Sequence, residues 1–354
     1  MKQGNAIVVG AGVGGLATAI GLRRAGWDVR VLERREEPER YGTAFGLHPT
    51  AQAALDRLGL GAAVTARAVP YRSAAIRRPD GTALAALPLE RIERRAGRPE
   101  ILVSRPRLMD VLLDELDALG ASVEYGTPFT PAPGQPGAGP CAAAGADLLI
   151  GADGINSAVR TVAFGGRSAP REIDTVAWIG IAGFETGVYG ETWGRGRFFG
   201  MTPVEPGHTN WYATVPEATD AKELRDHFAD WHDPIPRILA ETDPSTWIRY
   251  RMRHLYPALP SFVHGGRTAL VGDAAHAMTP NLGQGACTAL LDAEALTRAL
   301  AAYGRTAVDA ALAAYDTERR RSAQRTAFAS RTLHRFMTAR RPALRDALLH
   351  LLPA

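Results

Sequence analysis

The residues with the most chemistry to offer fall in three short stretches, each at the end of an apolar run. Gly10-Ala-Gly12-Val-Gly14-Gly15 follows Asn5-Ala-Ile-Val-Val9, and an acid, Glu33, stands near the end of the next apolar segment. Asp147-Leu-Leu-Ile-Gly151 runs into Asp153-Gly154-Ile-Asn-Ser157-Ala-Val-Arg160. Arg267-Thr-Ala-Leu-Val-Gly272 runs into Asp273, then Pro280 and a Leu282-Gly283-Gln284-Gly285 loop. The first stretch is a G-x-G-x-x-G pattern: Gly10 permits a tight turn, Gly12 lets backbone approach a pyrophosphate, and Gly15 lets helix and strand pack closely. N–H groups at the start of the following helix would face the phosphates. Glu33 would accept ribose hydroxyls, and its charge disfavours a 2′-phosphate, so the expected resident cofactor is FAD or NAD rather than NADP. Arg34 either lies over the adenine or is a solvated charge. The Asp153-Gly154 stretch, taken alone, is turn chemistry with a capped helix.

These residues need a frame to hold them. The spacing predicts a β-α-β start: strand 5–10, helix 14–25 stopped by Gly26, and strand 27–34. Further helices are expected over 49–58 and 105–120, and a buried strand over 147–151. Residues 126–146 carry no charge and many Pro and Gly, which reads as a trimmed loop within one domain. From 174 to 215 the pattern changes to aromatic, strand-like runs with turn signals, an antiparallel architecture unlike the α/β start. Residues 218–242 read as helical, 247–257 as a strand, and 307–352 as almost continuous helix. The fold expected is α/β: a Rossmann-type domain (1–70, 100–170 and 265–300), an interleaved antiparallel β-sheet domain for substrate (71–99 and 171–264), and C-terminal helices (301–354).

The order GAGVGG with Glu33, then DGINSAVR, then GDAAHAMTPNLGQG resembles the flavoprotein aromatic hydroxylases, the single-component FAD-dependent monooxygenases of the 4-hydroxybenzoate hydroxylase type, over nearly the whole chain. The resemblance implies that Gly10, Gly12, Gly14, Gly15 and Glu33 bind the ADP half of FAD, and that Arg105 contacts its ribityl-phosphate region. It implies that Asp153 and Gly154 serve both FAD and a passing NADH or NADPH, and that Gly272 and Asp273 hold the ribityl hydroxyls. Pro280 would lie beside the reactive face of the flavin, and the amides of Leu282, Gly283, Gln284 and Gly285 would meet its N1–O2 edge. A helix N-terminus there suits the negative charge of reduced flavin. The implied reaction is reduction by NAD(P)H, addition of O2 to give a C4a-hydroperoxide, and transfer of one oxygen atom to an aromatic or polycyclic small molecule by hydroxylation or epoxidation. Such a peroxide needs an apolar cover, for which the sequence offers Trp178, Phe199, Met201, Trp211 and Tyr212, each equally open to plain core packing. Tyr212 is also the candidate to orient or deprotonate a phenol, and Pro280 the other candidate at the reacting centre. Three departures stand out: the short 126–146 segment, Ile179 where relatives often carry arginine, and Thr50 where asparagine is common.

Composition narrows the alternatives. At 354 residues the chain exceeds a usual single core. Its formal charge of +4 comes almost wholly from arginines dispersed among acids, which gives nucleic acid no basic arm to bind. Cys141 and Cys287 make neither a metal-ligand spacing nor a disulfide framework, and no metal is expected. With no signal peptide and no stretch long enough to span a bilayer, a cytoplasmic protein without stable membrane association is expected, as a monomer or homodimer. A halogenase reading lacks its substrate-side lysine, the only lysines being Lys2 and Lys222. An FAD-dependent reductase or desaturase acting on an isoprenoid-like substrate and a non-catalytic FAD-binding module remain open.

Overall fold

The computed structural model describes residues 4–38, 44–130, 141, 144–216, 220–339 and 341–349. Most of the expected 126–146 loop and the end of the expected C-terminal helix therefore lie outside the described residues.

Among the described residues, three sheets organise the chain. The first has six strands in the order Val263–His264, Thr268–Leu270, Leu148–Gly151, Asn5–Val9, Asp28–Leu32 and Val123–Glu124. All pairings are parallel except that of Val263–His264 with Thr268–Leu270. The central strands are buried on both faces, as continuous apolar runs in a parallel sheet must be. Helix Val13–Arg24 packs between helices Arg105–Ala118 and Gly285–Tyr303. It comes so close to the latter that a Cβ on Gly21 would sit 2.6 Å from Thr297. All three motif stretches leave this sheet at the carboxyl ends of neighbouring parallel strands, which is where open α/β sheets bind ligands.

The second sheet has seven strands in the order Ile248–Tyr256, Ala169–Ala182, His208–Val215, Phe198–Glu205, Gly190–Trp193, Ala75–Arg77 and Ala83–Ala86. It is antiparallel except where Gly190–Trp193 meets Ala75–Arg77. Strand side chains alternate between faces. Here the outer face is covered by helices Ala221–Phe228 and Ile235–Glu241, and the inner face turns towards the rest of the molecule. The third sheet, Ala44–Leu47, Glu100–Ser104 and Val69–Tyr71, lies between the other two. The 30-residue helix Val308–Met337 ties the halves together. Its first turns bury Leu312 and Tyr315 against the first sheet's helices, and its last turns pack Leu333, Phe336 and Met337 on the inner face. Helix Pro342–Leu349 closes the sheet's far edge, where the fully buried Arg345 donates to the carbonyls of Trp193, Gly194 and Met337.

Among the described residues no helix is long and apolar enough to cross a membrane, and no group of His, Cys, Asp and Glu is placed to hold a metal ion.

Candidate active site

The first turn is built to let something approach. Gly10 adopts φ +103°, and a Cβ there would lie 2.4 Å from the Ala152 carbonyl oxygen. A Cβ on Gly15 would lie 1.9 Å from the Gly10 oxygen, so the fifteenth position must be bare for strand and helix to meet. Gly14 packs near Ala289 of the Gly285–Tyr303 helix. Gly12 differs: a Cβ there would meet nothing within 4 Å, so its bare backbone faces open space. Glu33 is buried at the end of Asp28–Leu32 and accepts hydrogen bonds from the Ala11 N–H at 2.8 Å and the Arg35 N–H at 2.9 Å. The acid thus braces the glycine turn itself. Arg34 beside it is exposed.

In the second stretch the carboxylate of Asp153 is turned inward. It accepts from the Ser157 hydroxyl at 2.5 Å and from the N–H groups of Ala158 and Val159 at 2.6 and 3.2 Å. This caps helix Ala158–Phe164 and leaves Gly154, at φ +75°, to make the turn. Arg160, 2 % exposed, then crosses to the third stretch and donates to the carbonyl oxygens of Ile155 and Ala274. Asp153 shapes the cleft through its helix cap.

The third stretch is held by an acid that its alanine-rich surroundings concealed. Asp292, fully buried on helix Gly285–Tyr303, accepts from the Gly272 N–H at 3.0 Å and pairs with His276 Nε2 at 2.5 Å and Arg319 Nε at 2.8 Å. Burial alone would raise the Asp292 carboxyl, but the charge and hydrogen bonds of His276 and Arg319 overcome it and hold the group below its ordinary value. His276 therefore has a structural partner in Asp292. Gly272, at φ +58°, then turns the chain so that Asp273 opens the short helix Asp273–His276. Asp273 is open to solvent yet ringed by protein, the environment of a cleft floor. Burial raises its carboxyl, and the nearby His276 and Arg105 temper the rise. Pro280–Leu282 forms a single 3-10 turn followed by Gly283 at φ +63°. The Leu282 and Gly283 N–H groups are used within the chain, by Ser330 Oγ and the Pro280 oxygen. The amides left to face outward from this loop are those of Gln284, Gly285 and the helix's first turn, which have no acceptor inside the helix.

Arg105, the first residue of helix Arg105–Ala118, lies 5.5 Å over the Phe45 ring, and its charge acts on both Asp273 and Tyr250. It thus joins the motif cleft to the inner face of the large sheet. Tyr250, 38 % exposed, also lines that face, and burial pushes its phenol up to about 12.

The aromatic strands divide by face. Trp178, Phe199, Met201 and Trp211 are at most 6 % exposed and form one core with Leu224, Phe228 and Ile238 of the covering helices. The pocket role expected for these four residues does not hold, because they lie on the side of the sheet away from Arg105 and Tyr250. Tyr212, the next residue along, points to the inner face. There one cross-strand row runs Ile248, Ile179, Tyr212, Gly200, Glu191 and Ile76. A Cβ on Gly200 would lie 2.1 Å from Tyr212 Cζ, so the bare glycine lets the phenol ring cross the middle strand. Its hydroxyl donates to Glu191 Oε1 at 2.9 Å, and Trp193 Nε1 donates to Glu191 Oε2 at 2.7 Å. Burial raises the Glu191 carboxyl, with the two donors opposing, and burial next to Glu191 pushes the Tyr212 phenol far up. Tyr212 is therefore a hydrogen-bonding group at neutral pH and no base. Asn281 Nδ2, in the Pro280 turn, reaches Met337 Sδ at 3.5 Å, which brings that turn against the same inner-face cluster of Trp193, Phe198 and Tyr212. A separate cavity of about 290 Å³, lined by His48, Thr50, Thr288 and Ser322 among others, shares Gln284 with the motif loop.

Comparison with known proteins bears on what this cleft holds. The FAD binding domain family matches residues 4–330. The aurachin C monooxygenase/isomerase of Stigmatella aurantiaca is 37 % identical over 90 % of this chain and 86 % of its own length. A FAD-dependent urate hydroxylase of Klebsiella pneumoniae is 32 % identical over 89 % and 85 %, and the 3-amino-4-hydroxybenzoate 2-monooxygenase of Streptomyces cremeus is 34 % identical over 83 % and 77 %. Among solved structures, Klebsiella pneumoniae HpxO complexed with FAD and uric acid superposes with a TM-score of 0.85 at 27 % identity, covering 98 % of this chain and 91 % of that one.

Proposed function

Since the chain belongs to the FAD binding domain family and is an FAD-dependent monooxygenase, we propose that it inserts one atom of O2 into an aromatic or polycyclic small molecule, with NADH or NADPH as the passing reductant. The relatives named above act on substrates of that kind, by their names urate and 3-amino-4-hydroxybenzoate among them.

What supports this reading is that two half-clamps leave one parallel sheet at the carboxyl ends of its strands. Gly12 and Glu33 form one end, and Asp273, Pro280 and the start of helix Gly285–Tyr303 form the other. FAD fits this frame on the chain's own evidence. Gly12 leaves room for a pyrophosphate against bare backbone, Glu33 is a fixed acceptor for ribose hydroxyls, and Asp273 is a carboxylate on a cleft floor where hydroxyl donors would meet it. Gly10, Gly14, Gly15, Gly154 and Gly272 serve this frame by their turns and close approaches. Arg105 supplies charge between the cleft and the inner face, while Arg34 stands exposed beside the expected adenine end.

When bound in this frame, FAD would supply two-electron redox chemistry and the activation of O2. The chain's residues do the rest. The first amides of helix Gly285–Tyr303 and its dipole stabilise negative charge at the loop. Pro280 and the inner-face row of Ile248, Ile179 and Tyr212 limit water at the reacting centre. Tyr212 orients the substrate by a hydrogen bond and moves no proton at neutral pH.

Purified protein should be yellow, consume NADH or NADPH faster in the presence of an accepted aromatic, and take up O2 in proportion to product. A chain that carries FAD but desaturates or reduces its substrate without O2-derived oxygen would instead be the reductase or desaturase.

A further inference from the structure

The inner-face row contains one side chain that the proposed oxygen transfer leaves unexplained. Glu191 lies on a strand two removed from Tyr212, and Gly200 between them has no side chain. The phenol therefore bridges the middle strand and meets the carboxylate. The neighbours of this pair along the row are apolar: Ile179 and Ile248 beyond Tyr212, and Ile76 beyond Glu191. Both Glu191 and Tyr212 keep part of their surface accessible, whereas Trp193, which anchors the other carboxylate oxygen, is only 3 % exposed. An acid held by two donors in an apolar row, on the wall facing the Pro280 turn, is a fixed reading group. The Tyr212 proton is already given to Glu191, which leaves the phenol oxygen as an acceptor too. The polar side chains of the row thus offer acceptors.

We propose that Glu191, positioned by Tyr212 and Trp193, is the specificity-determining residue of the substrate site and selects neutral aromatic rings bearing an O–H or N–H donor over aromatic carboxylates. This rests on the reading of the inner face as the substrate wall. An O–H or N–H donor on the ring satisfies the remaining acceptor capacity of the pair, whereas an aryl ether leaves it unmet and an aromatic carboxylate sets like charge against it. A site built to hydrogen-bond a donor discriminates strongly against the analogue lacking it, because its own polar atoms are then left unpaired.

The test uses the FAD-loaded protein and three probes of one shape: 1-naphthol, 1-methoxynaphthalene and 1-naphthoate. Binding is read from the perturbation of the flavin absorbance and, independently of the flavin, by titration calorimetry. The wild type should bind the naphthol at least about tenfold more tightly than either of the others. Glu191→Gln should reduce the preference over the ether to within about threefold, with FAD affinity and circular dichroism unchanged, and should relieve the rejection of the naphthoate. Glu191→Asp, which keeps the charge but withdraws it by a methylene, should retain the rejection of the naphthoate while weakening naphthol binding. A Glu191→Gln protein that keeps the wild-type ratio of naphthol to ether, or a wild type that binds the naphthoate tightest, would overturn the proposal. Either result could occur in a protein that still consumes NAD(P)H and O2, so the failure of this inference is distinguishable from failure of the monooxygenase reading.

Discussion

Trp211 and Tyr212 are adjacent in one strand, and replacing each should damage a different property. The Trp211 ring is fully buried, stacked on Phe199 at 5.6 Å and edge-on to Trp247 at 5.1 Å. It lies so flat on Gly180 that a Cβ there would be 2.6 Å from it. Trp211→Leu would lose two aromatic contacts, together about 1.5 kcal/mol beyond area. It would also open roughly 60 Å³ of cavity, which at about 24 cal/mol per Å³ adds about 1.5 kcal/mol. The sum of about 3 kcal/mol corresponds to a fall in Tm of roughly 5 °C for a chain of this size. No substrate contact is lost, so KM for an accepted aromatic should stay within about twofold of wild type. Tyr212→Phe removes a hydroxyl whose partner Glu191 keeps its Trp193 bond. Its stability cost should be about 1 kcal/mol, with KM raised about tenfold. Thermal unfolding with and without FAD, together with initial-rate measurements of NADPH consumption against substrate, separates the two. A Trp211→Leu protein with unchanged Tm and a KM raised tenfold would refute the assignment of faces.

Further outcomes follow from the geometry. Asp292→Asn leaves Arg319 and His276 buried against a neutral partner, so it should cost about 3–5 kcal/mol and lower Tm by roughly 5–10 °C. The double variant Asp292→Asn/Arg319→Met should recover part of that loss in the same melt. Gly15→Ala must displace backbone, because its Cβ would lie 1.9 Å from the Gly10 oxygen, and should lower apoprotein Tm. Gly12→Ala, which meets nothing within 4 Å, should leave the apoprotein melt nearly unchanged and weaken FAD binding in a fluorescence titration. His334, buried and bonded to Thr175, is held neutral by burial, with its pKa lowered from 6.5 to about 4. As pH falls through 6.5 the unfolded chain gains a proton that the folded His334 refuses, so stability drops by about 3 kcal/mol by pH about 4. Urea denaturation across that range should show the slope, and His334→Gln should flatten it.

The cofactor half of the molecule was legible because its signals are local. A glycine turn between strand and helix, an acid at the end of the second strand, and Gly-Asp after a third buried strand each declare themselves within a few residues. The substrate wall was not legible, since period-2 alternation says only that Trp211 and Tyr212 face opposite sides. Which side is capped depends on helices Ala221–Phe228 and Ile235–Glu241, and their docking is tertiary. Glu191 gave no sign of its role, because the row joining it to Tyr212 exists only through the register of three strands and the bareness of Gly200. Asp292 did leave a trace: an acid among buried alanines and leucines of helix Gly285–Tyr303, at a position that demands a buried partner. The histidine paired with it, His276, stands in the Gly-Asp stretch itself, and its Nε2 is taken up by Asp292.

The most direct measurement is oxygen-isotope analysis of product formed by the FAD-loaded protein with NAD(P)H under 18O2. The expected product carries a single 18O atom for each O2 consumed and for each NAD(P)H oxidised, with the second atom leaving as water. A product of unchanged oxygen content, or one whose new oxygen comes from H2 18O in the reciprocal experiment, would contradict monooxygenase chemistry in this cleft.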